Sequence, residues 1–194
     1  MGLISYVKEE IQVIRERDPA IKSNWEVFLY PSFKVILSYR VAHRLYRKKH
    51  YFLARWVSQR AARKTGIEIH PGARIGKGLF IDHGTGVIIG ETTIIGNNVT
   101  LYQGVTLGAL STRQGQQLAN VKRHPTIHDN VTIYSNSSVL GGETVIGENT
   151  IIGGNTFITE SIPANTKVSA KSPELVIKKP RNAVSKADVW DWQD

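Results

Sequence analysis

Residues 89–107 read IGETTIIGNNVTLYQGVTL, and an aliphatic residue returns in this stretch every six positions. The four positions are Ile89, Ile95, Leu101 and Leu107. A period of six matches neither the 3.6 residues of a helical turn nor the simple alternation of a β-strand. It is typical of a parallel β-helix, in which each repeat forms one short strand and a turn and points one aliphatic side chain into the axis.

The same period extends over residues 69–158, with a slip of two residues after Ile81, a long interruption after Leu107 and a slip of one before Leu140. The thirteen positions are Ile69, Ile75, Ile81, Ile89, Ile95, Leu101, Leu107, Ile127, Ile133, Leu140, Ile146, Ile152 and Ile158. Small or β-branched residues four places later are expected to fill a second inward position: Ala73, Thr85, Thr93, Val99, Val105, Val131, Ser137, Thr144 and Thr150. With three repeats to a coil, the sequence predicts a little over four coils.

Glycine divides the chain into two unlike parts. Gly2 is the only glycine before residue 66, and the other sixteen lie between Gly66 and Gly154. Before that boundary, apolar residues recur at helical spacing, which predicts three or four short helices ending near Thr65. We therefore expect an α-helical N-terminal domain over 1–66, a β-helix domain over 67–168 with a protruding loop at 108–126, and a C-terminal tail over 169–194.

The formal net charge of +9 belongs to the helical part alone. Residues 1–66 hold 14 basic and 5 acidic side chains, whereas residues 67–194 hold 11 of each. The basic residues alternate with apolar ones at helical spacing, and charged faces of this kind are commonly solvated. We therefore expect no nucleic-acid partner.

The sequence contains no cysteine, which excludes disulfides, thiolate metal sites and cysteine nucleophiles. No apolar run approaches the roughly 18 residues that a membrane-spanning helix needs. We expect a cytoplasmic protein without a membrane partner.

Ionisable side chains are unusual beside the inward positions of such repeats, and four stand out: Glu68, His70, Asp82 and His83. Glu68 and His83 are 15 residues apart, close to the roughly 18 residues of a full coil, so they can approach each other on neighbouring coils. A carboxylate beside an imidazole orients the ring and raises its basicity, which suits the deprotonation of a hydroxyl. The alternative is that all four are solvated turn residues, and His70, in the turn-forming string His-Pro-Gly, fits that alternative best.

Several strings resemble the serine O-acetyltransferases of cysteine biosynthesis, a family of hexapeptide-repeat acyltransferases. In the repeat region they are EIHPGARIG (68–76), IDHGTGVIIGET (81–92), YQGVTLG (102–108) and RHPTI (123–127). In the helical region they are VIRERDPA (13–20) and YRVAH (39–43). The resemblance implies a mainly β fold, a left-handed parallel β-helix preceded by a small α-helical domain.

The resemblance also implies roles for particular residues. His83 would be the general base that takes the proton from the hydroxyl of L-serine, which then attacks the thioester of acetyl-CoA, and Glu68 would orient this base. Four residues are expected to bind the substrate: Asp18 and Asp82 its ammonium group, and Arg123 and His124 its carboxylate. Opposite charges on either side of the hydroxyl suit an amino acid, and arginine offers a planar fork for the carboxylate.

Acetyl-CoA is expected as a co-substrate, with no tightly bound cofactor and no metal. Its binding would use the backbone at Gly108 and Ala109, where the family commonly has two glycines. Lys171, Lys178 and Lys179 are candidates for contacts with its phosphates, or else belong to a solvated tail. The loop that leads to Arg123 is longer than is usual in the family.

The resemblance further implies a homotrimer, or a dimer of trimers. In this family the C terminus often docks into O-acetylserine sulfhydrylase through a terminal isoleucine, and Asp194 at that position argues against this partner. The tail contains Trp190 and Trp192, which we expect to pack on the helical domain.

Two alternative functions stay open at this point. One is a hexapeptide acetyltransferase for the hydroxyl of a sugar or a xenobiotic, which would keep His83 but not the four substrate-binding residues. The other is a zinc lyase similar to the β-helical carbonic anhydrases, which would draw its ligands from the histidines of the repeat region: His70, His83, His124 and His128.

Overall fold

The computed structural model describes residues 3–110, 117, 119 and 121–171. Its N-terminal part contains α1 (Leu3–Arg17), a short 3₁₀ helix (Glu26–Leu29), α2 (Pro31–Arg47) and α3 (Tyr51–Thr65). Pro31 occupies the first turn of α2, where its missing N–H would have no helical partner anyway. Three α-helices and one 3₁₀ helix agree with the number and the end point predicted from the sequence.

In the part of the chain that the structure describes, fourteen short parallel strands follow the helices. They are β1 (Glu68–Ile69), β2 (Arg74–Ile75), β3 (Phe80–Ile81), β4 (Ile88–Ile89), β5 (Ile94–Ile95), β6 (Thr100–Leu101), β7 (Thr106–Gly108), β8 (Thr126–Ile127), β9 (Thr132–Ile133), β10 (Ser138–Leu140), β11 (Val145–Ile146), β12 (Ile151–Ile152), β13 (Phe157–Ile158) and β14 (Lys167–Val168).

The strands form three parallel sheets, and consecutive strands belong to different sheets. Sheet 1 has the order β1-β4-β7-β10-β13, sheet 2 the order β2-β5-β8-β11, and sheet 3 the order β3-β6-β9-β12-β14. From β1 to β10 each strand therefore pairs with the third strand after it, which agrees with three repeats to a coil. We call the turn from sheet 3 to sheet 1 the 3–1 corner and the turn from sheet 1 to sheet 2 the 1–2 corner.

The core is the column of aliphatic side chains along the axis of the coil. The fully buried ones on the strands include Ile81, Ile89, Leu101, Leu107, Ile127, Ile133, Ile146 and Ile152. Burial of each such side chain contributes about 1.5–3 kcal/mol to stability. The column therefore supplies much of the free energy that holds the coils together.

One predicted inward position is wrong. Thr85 is exposed, and Val87 is the buried residue of that repeat. The two extra residues lie in the turn before β4, where Gly84 and Gly86 have φ angles of +83° and +77°. This left-handed conformation, which glycine adopts without strain, lets the turn take up the insertion and shifts the inward position by two.

A second inward position is also wrong, by one residue. Val139, not Leu140, is fully buried, and it pairs with Leu107 on the preceding strand of sheet 1. The period of six therefore continues unbroken to Val139. The extra residue falls in the following turn, where Gly141 has a φ of +109°.

The helices cover the first coils of the β-structure. A small apolar cluster of Ile14, Val27, Phe33 and Phe80 joins the helices to sheet 3. The Tyr39 hydroxyl donates a hydrogen bond to the carbonyl of Ala73 at 2.6 Å. No helix in the described ranges is long and apolar enough to cross a membrane.

Glu10 gives a testable prediction about stability. It lies on α1 with 1% of its surface exposed, and neither carboxylate oxygen has a hydrogen-bond partner. Burial raises the pKa of Glu10 from 4.5 to about 7. The folded state therefore holds a proton between these pH values that the unfolded state releases, so the free energy of unfolding should fall as pH rises from 4.5 to 7.

Glu10→Gln should abolish this decrease in the free energy of unfolding with rising pH, because an amide does not ionise. Relative to the wild type, we expect the variant to gain up to about 3 kcal/mol at pH 8 and little at pH 4.5. Urea unfolding at both pH values measures this, with the exposed carboxylate of the same helix, Glu16→Gln, as control. A gain of equal size at both pH values would contradict the assignment.

Candidate active site

The 3–1 corner after β3 carries Asp82 and His83. His83 has a φ of +56°, a conformation that is costly for a residue with a side chain and that is often found at functional sites. Its side chain is 76% exposed, and its Nε2 lies 3.9 Å from Oδ1 of Asp82. The imidazole is therefore held at the corner by the backbone, beside a carboxylate, and is open to an incoming molecule.

Asp18 joins this corner from the segment that follows α1. Its carboxylate accepts hydrogen bonds from the Tyr30 hydroxyl at 2.5 Å and from the backbone N–H of Ala20 at 2.8 Å. The Tyr30 hydrogen bond, then that of Ala20, and to a lesser extent the nearby His83, lower the pKa of Asp18. The structure therefore brings Asp18, Asp82 and His83 together as a group with two carboxylates.

Glu68 lies at the start of β1, on the outer side of sheet 1. Its Oε1 is 4.0 Å from Nη2 of Arg55 on α3, and both side chains are more than 40% exposed. Within the described part of the chain, no hydrogen bond or ion pair joins Glu68 to His83. Glu68 instead lies beside the guanidinium of Arg55, and its predicted role in orienting His83 stays a prediction.

The 1–2 corner carries Arg123 and His124, directly before β8. Arg123 forms an ion pair with Glu91, whose Oε1 also accepts a hydrogen bond from the Tyr46 hydroxyl at 2.8 Å. The backbone N–H groups of Arg123 and His124 both donate to Oγ1 of Thr92, at 2.9 and 3.0 Å. The turn after β4 thus fixes both the side chain of Arg123 and the backbone of the Arg-His pair.

The hydrogen bonds of His124 define its protonation state. Oγ1 of Thr92 already accepts two hydrogen bonds, so its own hydrogen is directed to Nδ1 of His124, at 2.8 Å. The N–H of Thr92 also donates to this nitrogen, at 3.2 Å. Burial, and to a lesser extent the charge of Arg123, lowers the pKa of His124 to about 4. Near pH 7 the ring is therefore neutral and carries its proton on Nε2, as a hydrogen-bond donor.

His70 lies at the same 1–2 corner, after β1. Its Nδ1 accepts a hydrogen bond from the backbone N–H of Gly72 at 3.0 Å, and burial lowers the pKa of His70 to about 4. This is the turn-stabilising role that the sequence favoured for it. In the described ranges, no group of three or more His, Cys, Asp or Glu side chains is arranged to hold a metal ion.

The predicted site residues thus form two groups within one chain. Asp18, Asp82 and His83 lie at the 3–1 corner, whereas Arg123 and His124 lie at the 1–2 corner. A strand of sheet 1 separates the two corners. The structure of a single chain therefore does not bring the five residues into one site.

The residues predicted for the co-substrate are only partly described. Gly108 ends β7 and pairs with Leu140, and Ala109 follows it, half-buried. Lys171 is exposed at the end of the described chain. Lys178 and Lys179 lie outside the described residues, as do Trp190 and Trp192 of the tail.

Sequence reasoning missed the residues that position the others. They are Tyr30, Tyr46, Arg55, Glu91 and Thr92. Glu91 and Thr92 stand in a family-like string, IDHGTGVIIGET, and a carboxylate and a hydroxyl next to a repeat glycine were the available signal. The two tyrosines and Arg55 have no local signal, because each contacts a residue at least 12 positions away.

Gly90 provides a test of how His124 is held. A Cβ at this position would collide with the imidazole of His124, so Gly90→Ala should displace the ring from Thr92 and from its buried place. We expect the pKa of His124 to rise from about 4 toward the ordinary value of 6.5. NMR titration of the imidazole resonances measures this shift.

The matched control is Gly154→Ala, because the nearest atom to an added Cβ there is the carbonyl oxygen of Ser135, at 3.2 Å. This substitution should leave the titration of His124 unchanged. A pKa of His124 near 4 in both variants would show that the contact with Gly90 does not hold the ring.

Comparison with known proteins gives a consistent result. No family model matches the chain. Among curated proteins, it is similar to the serine acetyltransferase of Helicobacter pylori, with 46% identity over 118 residues, 60% of this chain and 66% of that protein. It is also similar to the serine acetyltransferase of Bacillus subtilis, with 45% identity over 125 residues, 64% of this chain and 55% of that protein. The match thus spans less than two thirds of either relative.

Solved structures extend the similarity to the helical part. The soybean serine acetyltransferase apoenzyme has a TM-score of 0.78 and 35% identity, over 90% of this chain and 69% of that one. The serine acetyltransferase of Neisseria gonorrhoeae, in complex with serine, has a TM-score of 0.78 and 35% identity, over 87% of this chain and 67% of that one. Isoform 3 from Entamoeba histolytica, in complex with cysteine, has a TM-score of 0.82 and 40% identity, over 91% of this chain and 62% of that one. Since the match to such relatives reaches 35% identity over 69% of the soybean enzyme, the chain belongs to the serine acetyltransferase family.

Proposed function

We propose that this protein is a serine O-acetyltransferase, which transfers the acetyl group of acetyl-CoA to the hydroxyl of L-serine. The products are O-acetyl-L-serine and CoA, and the reaction is the first step of cysteine biosynthesis from serine. The observation that carries the proposal is the group of two carboxylates around an exposed imidazole, Asp18, Asp82 and His83. The relative from Neisseria gonorrhoeae that holds serine supports the choice of substrate.

His83 acts as the general base. Its unprotonated nitrogen takes the proton of the serine hydroxyl while the oxygen attacks the carbonyl carbon of the thioester. The tetrahedral intermediate then expels the CoA thiolate, which recovers the proton from His83. General-base assistance of this kind is worth about 10²- to 10⁴-fold in rate. The left-handed backbone directs the Cα–Cβ bond of His83 outward from the corner, where substrate binding would place the hydroxyl beside the ring.

The carboxylates bind the ammonium group of serine. The Tyr30 hydrogen bond lowers the pKa of Asp18, so this group is ionised throughout the neutral range. Asp82 adds a second acceptor beside His83. A cation between two carboxylates places the adjacent carbon, and hence the hydroxyl, close to the imidazole.

Arg123 and His124 bind the carboxylate of serine. Arg123 supplies positive charge, and Glu91 fixes its orientation through their ion pair. His124 adds a neutral Nε2–H donor, since its Nδ1 is occupied by Thr92. A neutral donor orients a carboxylate without adding further positive charge to the site.

We infer that a complete site needs two copies of the chain. The ammonium and carboxylate groups of serine are attached to the same carbon, whereas the residues that bind them lie at different corners of one coil. A homotrimer that sets the 3–1 corner of one copy against the 1–2 corner of the next brings them together. This arrangement supports a trimer, and it does not require a dimer of trimers. We propose a left-handed coil, as the similarity to serine acetyltransferases implies.

Acetyl-CoA is proposed as a free co-substrate, with no tightly bound cofactor. The end of β7 at Gly108, with Ala109, is the proposed position for its thioester arm, and Lys171 for its phosphates. We also keep the division of the chain into a helical domain over 1–66, a β-helix domain over 67–168 and a tail over 169–194.

The activity is tested by release of free thiol from acetyl-CoA with L-serine, L-homoserine or a galactoside as acceptor. We expect L-serine to be the preferred acceptor, with O-acetyl-L-serine identified by mass spectrometry. His83→Ala should lower kcat at least about 10²-fold with little change in KM, because the base acts in the transition state. His50→Ala, at an exposed position between α2 and α3, is the control.

Two outcomes count against the proposal. If His83→Ala turned over as fast as the wild type, His83 would not be the general base. A galactoside that reacts faster than L-serine would instead favour a sugar acetyltransferase.

The shared site is tested by complementation. His83→Ala and Arg123→Gln chains are co-expressed with different affinity tags and purified through both tags. In each mixed trimer one of the three interfaces then pairs an intact His83 with an intact Arg123, so we expect about a third of wild-type activity. Each variant alone should be nearly inactive. Mixed trimers no more active than the separate variants would show that each site lies within one chain.

A further inference from the structure

A cavity opens between α1 and α2, next to the first coil, where it borders the turn at Pro71. Its volume is about 520 Å³. It is lined by Tyr6, Arg40, Val41, His43, Arg44, Arg47 and Lys48. Small-molecule sites usually measure about 300–1,000 Å³, so this cavity has room for more than a single inorganic ion. Every charged residue of its lining is basic.

Three of these cations have no counter-charge. Arg44, Arg47 and Lys48 are exposed, and within the described part of the chain their side chains make no ion pair and no hydrogen bond. Basic residues in the last turn of a helix are favoured by the helix dipole, which accounts for part of the pattern. That preference does not account for Arg40, two turns earlier, or for the cavity that all four face.

Arg40 gives the cavity a fixed wall. Its guanidinium donates to the carbonyls of Ile75 at 2.7 Å and Gly76 at 2.6 Å, and it lies over the ring of Tyr6, 4.9 Å from the centroid. The side chain is therefore anchored to the first coil by two hydrogen bonds. A preformed positive wall lowers the cost of binding an anion.

His43 adds a group of a different kind. Its Nδ1 is 2.8 Å from the carbonyl of Pro71, and since a carbonyl only accepts, this nitrogen carries the hydrogen. Burial, opposed in part by that hydrogen bond, lowers the pKa of His43. The neutral ring thus offers Nε2 as an acceptor among the cations. An acceptor is matched by a ligand that carries hydroxyl or amino groups as well as its negative charge.

We propose that this cavity binds a nucleotide-type polyphosphate, with the phosphates against Arg44, Arg47 and Lys48 and a hydroxyl or amino group of the nucleoside against His43. Arginine suits phosphate because its planar fork donates two hydrogen bonds at once. The exposed side chain of Val41 offers apolar surface for the remainder of the ligand.

The same chemistry occurs in two sources, a free nucleotide and the nucleotide half of CoA. Two residues of the cavity contact carbonyl groups of the first coil, those of Pro71 and Gly76. His83, in contrast, lies at the 3–1 corner of the coil. We assign the cavity to a free nucleotide that acts as an effector, separate from the co-substrate. The assignment does not depend on the proposed acetyltransferase activity, because it is a statement about binding.

The test is calorimetric titration of the full-length protein with ATP at physiological salt, followed by the same titration with CoA. The variant is R44Q/R47Q, whose side chains make no ion pair and no hydrogen bond within the described chain. The matched control is R63Q/K64Q, which removes two exposed charges from the C-terminal end of α3. By helical rise this end is about 20 Å from the start of α3, which follows the cavity residue Lys48. Circular dichroism melting verifies that both variants fold as the wild type does.

We expect ATP to bind the wild type, R44Q/R47Q to lose at least tenfold in affinity, and R63Q/K64Q to stay within twofold. CoA should bind all three proteins equally. Absence of ATP binding to the wild type overturns the proposal. An equal loss of ATP affinity in both variants also overturns it, because ATP would then respond only to the overall positive charge. A parallel loss of CoA in R44Q/R47Q would make the cavity part of the co-substrate site and overturn the effector assignment. None of these titrations requires turnover, so the binding result can be interpreted even if the protein does not acetylate serine.

Discussion

The axial column of aliphatic side chains is the constraint on which the rest of the molecule depends. A strand of two residues has one side chain that points inward and one that points outward, so each repeat contributes Ile, Leu or Val to the column. Polar chemistry is therefore excluded from the axis and is confined to the outer faces and the corners. This is why His83 and His124, whose roles differ, both stand in turns, one residue away from a strand, and not within one.

The first coil creates a second requirement. In the described chain no coil precedes it, so the backbone groups on its free edge cannot pair with another strand. Unpaired backbone groups at the end of a sheet need other partners. Arg40 supplies hydrogen bonds to the carbonyls of Ile75 and Gly76, and Tyr39 to that of Ala73. On the other side, Glu9 accepts a hydrogen bond from the N–H of Gly78. Part of the positive charge of the helices is thus explained by the donors that the coil needs.

The sequence predicted the fold well because the period repeats, and it failed where a turn absorbs an insertion. Thr85 and Leu140 were assigned by counting, but the extra residues beside them are taken up by turns whose glycines have positive φ. The candidate site was predicted through local motifs around His83 and Arg123. Its supporting contacts were not, because Tyr46 and Glu91 are 45 positions apart and nothing near either residue points to the other.

The charges at the two corners have different physical origins, and this bears on how a zwitterion is held. At the 3–1 corner, Asp18 and Asp82 are partly exposed, and the hydrogen bond from the Tyr30 hydroxyl is the main cause of the lowered pKa of Asp18. The negative charge there stays available to a ligand. At the 1–2 corner, Glu91 is ion-paired with Arg123, and His124 is neutral because it is buried. Directed donors therefore do more of the work at that corner than net charge does. These donors contribute more to the orientation of the bound carboxylate than to the affinity. This suits a substrate whose hydroxyl must approach His83 in one direction.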